Sequence, residues 1–492
     1  MKKLLFTLGV ASLFASCARN PVTGKKQLSF MSEKQEIATG QESDPAVIAN
    51  FGLYQDQKLQ DMLTTKGLEM AKISHRPNLP YKFQVLNSPV VNAFAVPGGY
   101  VYFTRGILAH FNNEAELTGV LGHEIGHITA RHSAQQYTEQ ILAQVGMIAT
   151  IIVKPELAQF AEQAQQGIGM LFMKFSRDNE SQSDKLGVDY STKIGYDSHN
   201  MADFFKTLGR VSDAAGARIP AFMSTHPDPD DRFNVVHKLS NDVQVNLDKS
   251  KLKTNRNEYL QLIDGLVYGE DPREGYVEGN IFYHPELKFF FAIPQDWKTQ
   301  NSPTQFVMAE PTQKAMMVLT TGTGANNEEV AANIAKQLNL DVKRSDQTTV
   351  NGLPALVMYS EVNAKQQQQQ NVSRTQNNQA PALETTLVQT YIIEYNKLFY
   401  VIHGVAVAKE FETYRNSFTQ TMSSFSILKD QSKINVQPEH IRIKTASKNA
   451  TLSELLTNWN MPTKKQEEIA ILNGLFLTSQ VAKGTLIKTV GK

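Results

Sequence analysis

The sequence contains little that would cross-link the chain, charge it strongly or hold it inside a bilayer. One cysteine among 492 residues excludes an intramolecular disulfide. The 49 basic and 48 acidic side chains leave a formal net charge of +1, which excludes a charge-driven affinity for nucleic acid or anionic lipid. No apolar run reaches the about 20 residues that a membrane-spanning helix requires. With 41% hydrophobic and 20% charged residues, we expect the bulk of the chain to fold in water as about two to four domains.

The N-terminal residues have the pattern of an export signal. Two lysines precede an apolar run at 4–14, and two small residues precede Cys17. The run is too short to span a bilayer, so residues 1–16 are predicted to be a removable signal peptide. The ending LFASC resembles a lipoprotein signal, which would leave residues 17–32 as a linker whose lipid anchors the chain to the inner or outer membrane. A plain secretory signal with an incidental cysteine is the alternative, and both place the mature chain in the cell envelope.

Changes of pattern along the chain predict an α+β multidomain protein. Residues 33–246 are mainly helical with a small β-sheet, and 247–278 are predicted to be a linker. Residues 279–430 alternate strand-like and helical runs, which indicates a second, α+β domain, and its glutamine-rich stretch 365–381 is predicted to be a disordered loop. Residues 431–492 have the order β-α-α-β of a small compact module.

A pair of histidines one helical turn apart carries the candidate chemistry. Residues four apart on a helix share one face, so His123 and His127 can reach one cation, and imidazole nitrogens suit Zn²⁺. Glu124 lies about 100° away on the same helix, where its carboxylate can act as general base beside the metal. Zinc lowers the pKa of bound water from 15.7 to about 7. Two inert surface histidines are the alternative, but the apolar neighbours of this pair favour a metal, because burying unpartnered imidazoles is costly.

A catalytic zinc needs three protein ligands, so a third has to come from elsewhere in the chain. Glu180 and Asp184 share the i, i+4 face of a second predicted helix, where Glu180 can ligate and Asp184 can hydrogen-bond a ligand histidine. A solvated acidic face explains the same spacing. His110 and His132 fall off the metal-binding face, with His132 about 180° from His123, and both are predicted to be ordinary surface or structural histidines.

These motifs together resemble the zinc metallopeptidases with an HExxH motif that are known as CAAX-prenyl-protease-like and HtpX-like, in their periplasmic, BepA-like lipoprotein branch. The resemblance covers about residues 20–240 and rests on NPVTGKKQLS, NAFAVPGGYVYFTRGIL, LGHEIGHITARHS, SRDNESQSDKLG and STHPDPDDR. It implies a zincin-type domain with one zinc per chain. The ligands would be His123, His127 and Glu180, with Glu124 as the general base.

The resemblance also implies roles for residues that spacing alone leaves unassigned. His226 would approach the metal or the oxyanion, and in some relatives this histidine fills the fourth coordination position and keeps the enzyme latent. Arg232 would lie near the same site. Asn92, Ala93 and Phe94 would form the strand that pairs with an extended substrate, although a simple core hairpin fits the sequence equally well.

The two C-terminal regions show further resemblances. Residues 279–430 resemble the Mog1/PsbP-like fold, and 431–492 resemble a LysM module, which makes peptidoglycan a candidate partner beside protein substrates and the membrane. No nucleic-acid partner is expected. The favoured function is a zinc endopeptidase that cleaves misfolded or mis-assembled envelope proteins. The alternative is an envelope assembly factor, chaperone or cell-wall-binding protein with a latent zinc site.

Overall fold

A computed structural model describes residues 16–138, 175–215, 222, 226, 229–362 and 385–492. The predicted signal peptide, apart from Ser16, and the predicted loop 365–381 lie outside the described residues. Contacts within the chain define two compact units. Among the described residues, the second unit is Asp271–Gln437, and the first takes in what precedes it together with Pro438–Lys492. The first unit contains every candidate ligand.

The first unit is built from long helices around a small sheet. Its helices are α1 (Glu33–Phe51), α2 (Gln57–Ile73), α3 (Arg105–His110), α4 (Glu114–Ala130), α5 (Arg177–Lys193), α6 (His199–Ala215), α7 (Pro229–Gln244) and α8 (Arg256–Leu262). Its strands up to this point are β1 (Ser16–Arg19), β2 (Lys26–Ser29), β3 (Lys82–Leu86), β4 (Ala93–Val96), β5 (Tyr100–Thr104) and β6 (Val267–Tyr268). The sheet order is β3-β5-β4, with β3 parallel and β4 antiparallel to β5, so β4 is an edge strand.

Helix α4 is buried along its whole length because it is surrounded by other elements of the unit. It begins at Asn113, whose side-chain oxygen accepts a hydrogen bond from the Glu116 amide at 2.8 Å and satisfies one donor that the helix leaves unpaired. It ends at Arg131, which adopts a left-handed conformation with φ 62°. Helix α5 begins in the same way, at Ser176, which caps the Asn179 amide. These caps define the lengths of the two helices that carry the candidate ligands.

Glycines allow α4 and α5 to lie side by side. A Cβ at Gly122 would be 3.0 Å from the Gly187 Cα, and a Cβ at Gly187 would be 3.0 Å from the Gly119 carbonyl oxygen. Gly126 faces Ser183 in the same way, because a Cβ at Gly126 would be 3.2 Å from the Ser183 Cα. Without side chains in the seam the backbones approach until they are in contact. This close packing brings the first turns of α5 next to the histidines of α4.

The second unit is dominated by an antiparallel sheet of seven strands in the order β10-β11-β12-β16-β15-β14-β13. A four-stranded sheet in the order β17-β9-β8-β7 accompanies it. The strands are β7 (Tyr276–Glu278), β8 (Ile281–His284), β9 (Phe289–Ala292), β10 (Lys298–Ser302), β11 (Gln305–Ala309), β12 (Ala315–Gly322), β13 (Leu340–Val350), β14 (Leu353–Val362), β15 (Thr386–Tyr395), β16 (Leu398–Val407) and β17 (Ser426–Ile427). The helices are α9 (Asn327–Gln337), α10 (Ala408–Ser423) and α11 (Gln431–Ile434).

The C-terminal segment returns to the first unit. Its elements are β18 (Glu439–Thr445), β19 (Ala450–Thr451), α12 (Leu452–Asn458), α13 (Thr463–Leu472), β20 (Gln480–Val481) and β21 (Leu486–Gly491). They follow the predicted β-α-α-β order, with the short β19-β20 pair added. Strand β18 lies between β21 and β6. The buried Lys488 ammonium donates to the Ala109 and Phe111 carbonyl oxygens, at 2.9 and 2.8 Å, which joins β21 to the end of α3.

Within the part of the chain that the structure describes, every helix is too short or too polar to cross a membrane.

Candidate metal centre

The side chains of α4 and α5 bring the three predicted ligands to one point. The Nε2 atoms of His123 and His127 are 3.0 Å apart. The Glu180 carboxylate lies 3.5 Å from the first nitrogen and 3.4 Å from the second. All three side chains are buried, with 1 to 4% of each exposed. A one-turn spacing places the histidines together, and the glycine seam places the carboxylate opposite them.

His226 completes a group of four possible ligands. Its Nδ1 lies 3.0 Å from Glu180 Oε1 and 3.3 Å from His123 Nε2. One ligand atom from each of the four side chains lies within 4.8 Å of the others, so the cluster could hold a metal ion. Three imidazoles and a carboxylate are donors that zinc accepts. The residues therefore fit a single zinc ion by position and by chemistry.

Glu124 lies beside this cluster, with its Oε1 3.7 Å from His226 Nε2. Burial raises the pKa of Glu124, and the nearby histidines oppose that rise without cancelling it. Among the described residues its Oε1 has no hydrogen-bond partner, which is unusual for a buried carboxylate oxygen. A buried basic group with a free lone pair is suited to accepting a proton from a reacting water.

Asp184 and Arg232 form a second layer behind the candidate ligands. Asp184 Oδ1 accepts from His123 Nδ1 at 2.9 Å, and the Arg232 guanidinium donates to both Asp184 oxygens, at 2.6 and 3.0 Å. Burial alone would raise the pKa of Asp184, but the charge of Arg232 and the contact with His123 lower it to about 2. Arg232 also lies 3.2 Å from Glu180 Oε2. The arginine thus holds Asp184 in its charged form, whereas, against the opposing effect of burial, the pKa of Glu180 is lowered chiefly by His226 and to a smaller extent by Arg232.

His132 lies closer to the centre than the sequence suggested. Its Nδ1 is 3.0 Å from His127 Nδ1, and its side chain is buried. The predicted angle of 180° assumed an unbroken helix, whereas the left-handed Arg131 turns the chain and brings the next ring back toward α4. Burial lowers the pKa of His132 to about 4. His110, by contrast, lies away from the cluster: its Nδ1 donates to the Gly106 carbonyl oxygen of its own helix at 2.7 Å, and its ring faces that of Tyr268 at a centroid distance of 6.4 Å.

A second residue missed by the sequence reasoning is Phe175. Its ring stacks on His127 with a centroid distance of 4.0 Å and an interplanar angle of 28°. It precedes α5 by two residues and belongs to no sequence motif from which its contact with His127 could be predicted.

The predicted substrate strand is packed into the first unit. Ala93 and Phe94 pair with Phe103 and Tyr102 on β5, and their side chains are buried. Asn92 is also buried, and among the described residues its Oδ1 has no hydrogen-bond partner. Strand β4 keeps the edge position that pairing with an extended peptide requires.

Residues 57–240 match the model of Peptidase family M48 and form a domain of that family, whose members are zinc metallopeptidases. The predicted relationship to the HExxH zinc metallopeptidases is therefore confirmed for this stretch.

Curated relatives cover a similar part of the chain. It is 29% identical over 236 residues to the beta-barrel assembly-enhancing protease of Yersinia pestis, which is 46% of this chain and 48% of that protein. The protein of the same name from Escherichia coli K12 is 28% identical over 252 residues, or 48% and 51%. The mitochondrial metalloendopeptidase OMA1 of Arabidopsis thaliana is 28% identical over 223 residues, or 45% and 43%. The chain spans about half the length of these relatives.

Solved structures align with about a third of the chain. Cyanobacterial PsbP from Synechocystis sp. PCC 6803 gives a TM-score of 0.23 at 8% identity and covers 31% of this chain and 94% of its own. The Saccharomyces cerevisiae Ran-binding protein Mog1p gives 0.22 at 11% identity, with 32% and 99% covered. TM-scores this low support no fold assignment, so the Mog1/PsbP-like interpretation of 279–430 stays a prediction.

Proposed function

We propose that this chain is a zinc-dependent endopeptidase of the cell envelope. The observation that carries the proposal is the convergence of His123, His127 and Glu180 on one buried point, with Glu124 next to it. Three ligands and an adjacent carboxylate are what metal-assisted peptide hydrolysis needs. The M48 match over residues 57–240 supports the same class of reaction.

Each residue of the cluster has a distinct role in this proposal. Bound zinc would polarise the substrate carbonyl and make water acidic enough to attack it at neutral pH. Glu124 takes the proton of the attacking water and returns it to the leaving amine. Asp184 holds His123 in the tautomer that presents Nε2 to the metal. Arg232 keeps Asp184 ionised and lies near enough to Glu180 to fix that carboxylate as well.

The proposed substrates are misfolded or mis-assembled proteins of the envelope. Support comes from the signal-like N-terminus with Cys17 and from the name of two relatives, beta-barrel assembly-enhancing protease. An extended peptide would add to the edge strand β4 next to Asn92, Ala93 and Phe94. A lipid on Cys17 would hold the enzyme at a membrane, and the C-terminal module would offer contact with peptidoglycan.

A second candidate function is favoured by the position of His226. Because its Nδ1 lies within 3.3 Å of both Glu180 and His123, it is placed to act as a fourth ligand and leave no position for substrate. A chain with such a latent site would act as an assembly factor, chaperone or cell-wall-binding protein. The two candidates differ in whether peptide bonds are cleaved.

The test compares purified wild type with Glu124→Gln, using casein and urea-unfolded envelope proteins as substrates. Removal of the base is expected to lower cleavage by at least about 100-fold while the zinc content, measured by mass spectrometry, stays at one per chain. Glu69→Gln, which removes a carboxylate on α2 away from the cluster, serves as the matched control and should cleave like wild type.

His226→Ala separates a latent protease from a chain without proteolytic function. If wild type is inactive and His226→Ala cleaves, the protease is latent. The endopeptidase proposal is wrong if neither wild type nor His226→Ala cleaves, and if Glu124→Gln corrects an envelope defect as well as wild type does. That result would support the assembly factor.

A further inference from the structure

His132 makes a chain of contacts that leads away from the metal cluster. Its Nδ1 lies 3.0 Å from His127 Nδ1, and its Nε2 lies 2.9 Å from the Gln182 side-chain oxygen. Ser183 Oγ approaches the same Nδ1 at 3.3 Å. The histidine is fully buried, and these polar groups belong to the first turns of α5. None of the roles proposed above uses this series of contacts.

The contacts allow only one arrangement of protons when a metal is bound. His127 faces the cluster with Nε2, so its Nδ1 must carry the hydrogen and act as a donor. His132 Nδ1 is then the acceptor, which leaves the hydrogen of His132 on Nε2. That N–H points at Gln182 Oε1, an acceptor. His132 therefore holds the His127 ring in one tautomer, and Gln182 does the same for the His132 ring.

We propose that His132 is a positioning residue for the ligand His127. It accepts the His127 Nδ1 hydrogen as a neutral imidazole, and Gln182 selects the tautomer of His132 that makes this possible. The inference rests on the proposed zinc site. It extends that site by the residue that orients its second histidine.

The two ligand histidines then differ in what supports them. His123 donates to the Asp184 carboxylate, which is paired with Arg232. His127 donates to a neutral ring. A carboxylate that accepts a hydrogen bond from a ligand histidine raises the basicity of that histidine more than a neutral acceptor does. His127 is therefore the weaker metal ligand of the two. A neutral acceptor also adds no charge to a buried site that already holds Glu124, Glu180 and Asp184.

The turn that brings His132 into place is held by the N-terminal part of the unit. Arg131 has a positive φ, which is strained for a residue with a side chain. Its guanidinium donates to Glu36 on α1 and, at 2.6 Å, to the Met31 carbonyl oxygen. Asn20 donates to the Ala130 carbonyl oxygen at 3.1 Å. Residues before and within α1 thus fix the turn between His127 and His132.

The experiment measures zinc affinity in a series of His132 variants by competition with a chromophoric chelator. His132→Leu removes the acceptor and is expected to weaken zinc binding by about 10- to 100-fold. His132→Asn places an oxygen where Nδ1 was and should recover affinity to within a few-fold of wild type. His132→Gln carries its polar atoms one bond further out and should resemble the leucine variant.

Two further measurements separate positioning from packing. The visible spectrum of the cobalt-substituted protein should change in His132→Leu and return in His132→Asn, because it reports ligand geometry. His110→Leu removes a buried histidine away from the cluster and should leave zinc affinity unchanged. Thermal unfolding of each metal-free variant identifies any that fails to fold. If His132→Leu does not fold, the zinc affinity of His132→Asn alone tests the inference.

The inference is overturned if His132→Leu binds zinc within about threefold of wild type, or if His132→Asn loses as much affinity as His132→Leu. Failure of the proposed function would look different. In that case wild type itself would bind no zinc, or would bind zinc while neither wild type nor His226→Ala cleaved a protein substrate.

Discussion

The glycine seam between α4 and α5 should control metal binding more strongly than it controls folding. A Cβ at Gly187 would lie 3.0 Å from the Gly119 carbonyl oxygen, 3.1 Å from the His123 amide nitrogen and 3.1 Å from Met201 Cε. Carbon atoms are in favourable contact at about 3.5 to 4.0 Å. Gly187→Ala therefore has to push the helices apart by a few tenths of an ångström.

That displacement has a small consequence for stability and a larger one for the metal site. Overpacking costs about 1 to 3 kcal/mol, while replacing a glycine within a helix returns about 1 kcal/mol, so the net loss of stability is about 0 to 2 kcal/mol. Metal–ligand distances tolerate only about 0.2 Å, and Glu180 moves with α5 relative to the histidines. Zinc affinity is expected to fall by on the order of tenfold or more, as when groups around a metal are disturbed.

The assay pairs chelator competition for zinc affinity with thermal unfolding of the metal-free protein. Lys185→Ala, on the exposed face of the same helix, is the control and should change neither quantity appreciably. If Gly187→Ala lowers the melting temperature but binds zinc as tightly as wild type, the seam does not set the distance between the ligands. The reasoning would then be refuted.

Two stability predictions concern other parts of the chain. Burial lowers the pKa of His403 in the second unit to about 4. The contribution of the neutral imidazole to the free energy of unfolding is therefore fully present above the unfolded pKa of about 6.5, and it is lost as pH falls toward 4. Between pH 7 and pH 4 this amounts to about 3 kcal/mol, and His403→Leu should flatten that part of the profile when urea unfolding is followed by Trp297 fluorescence. An unchanged slope would contradict the assignment. Lys488→Met should destabilise the first unit by about 2 to 4 kcal/mol, because it removes the donor to buried carbonyl oxygens, and thermal unfolding should show little effect for the exposed Lys483→Met.

Part of the fold follows from local pattern and part does not. The order of elements in the C-terminal segment was predictable because its apolar periodicity and turn residues are local features. Its attachment was not: Lys488 reaches carbonyl oxygens more than 370 residues earlier in the chain. Such a contact leaves no mark in the sequence near either end. The structure therefore places residues 438–492 in the same compact unit as the candidate metal centre, whereas the pattern alone suggested a separate module.

What the sequence determined by itself is the chemistry that one helix can present. Two histidines four residues apart share a face on any helix, and a glutamate next to one of them lies beside that face, whatever surrounds the helix. The same rule placed Glu180 and Asp184 together on α5. The family resemblance then connected the two helices and drew attention to His226 and Arg232.

What only the tertiary structure decided is which groups meet across elements. The distance between α4 and α5 depends on glycines that look ordinary in sequence, and the return of His132 depends on a single left-handed residue, Arg131, held by Glu36 from a distant helix. Helical geometry predicts neighbours only as long as the helix continues. Once the chain turns, position is set by packing and by buried ion pairs between segments far apart in sequence, and those are properties of the folded chain.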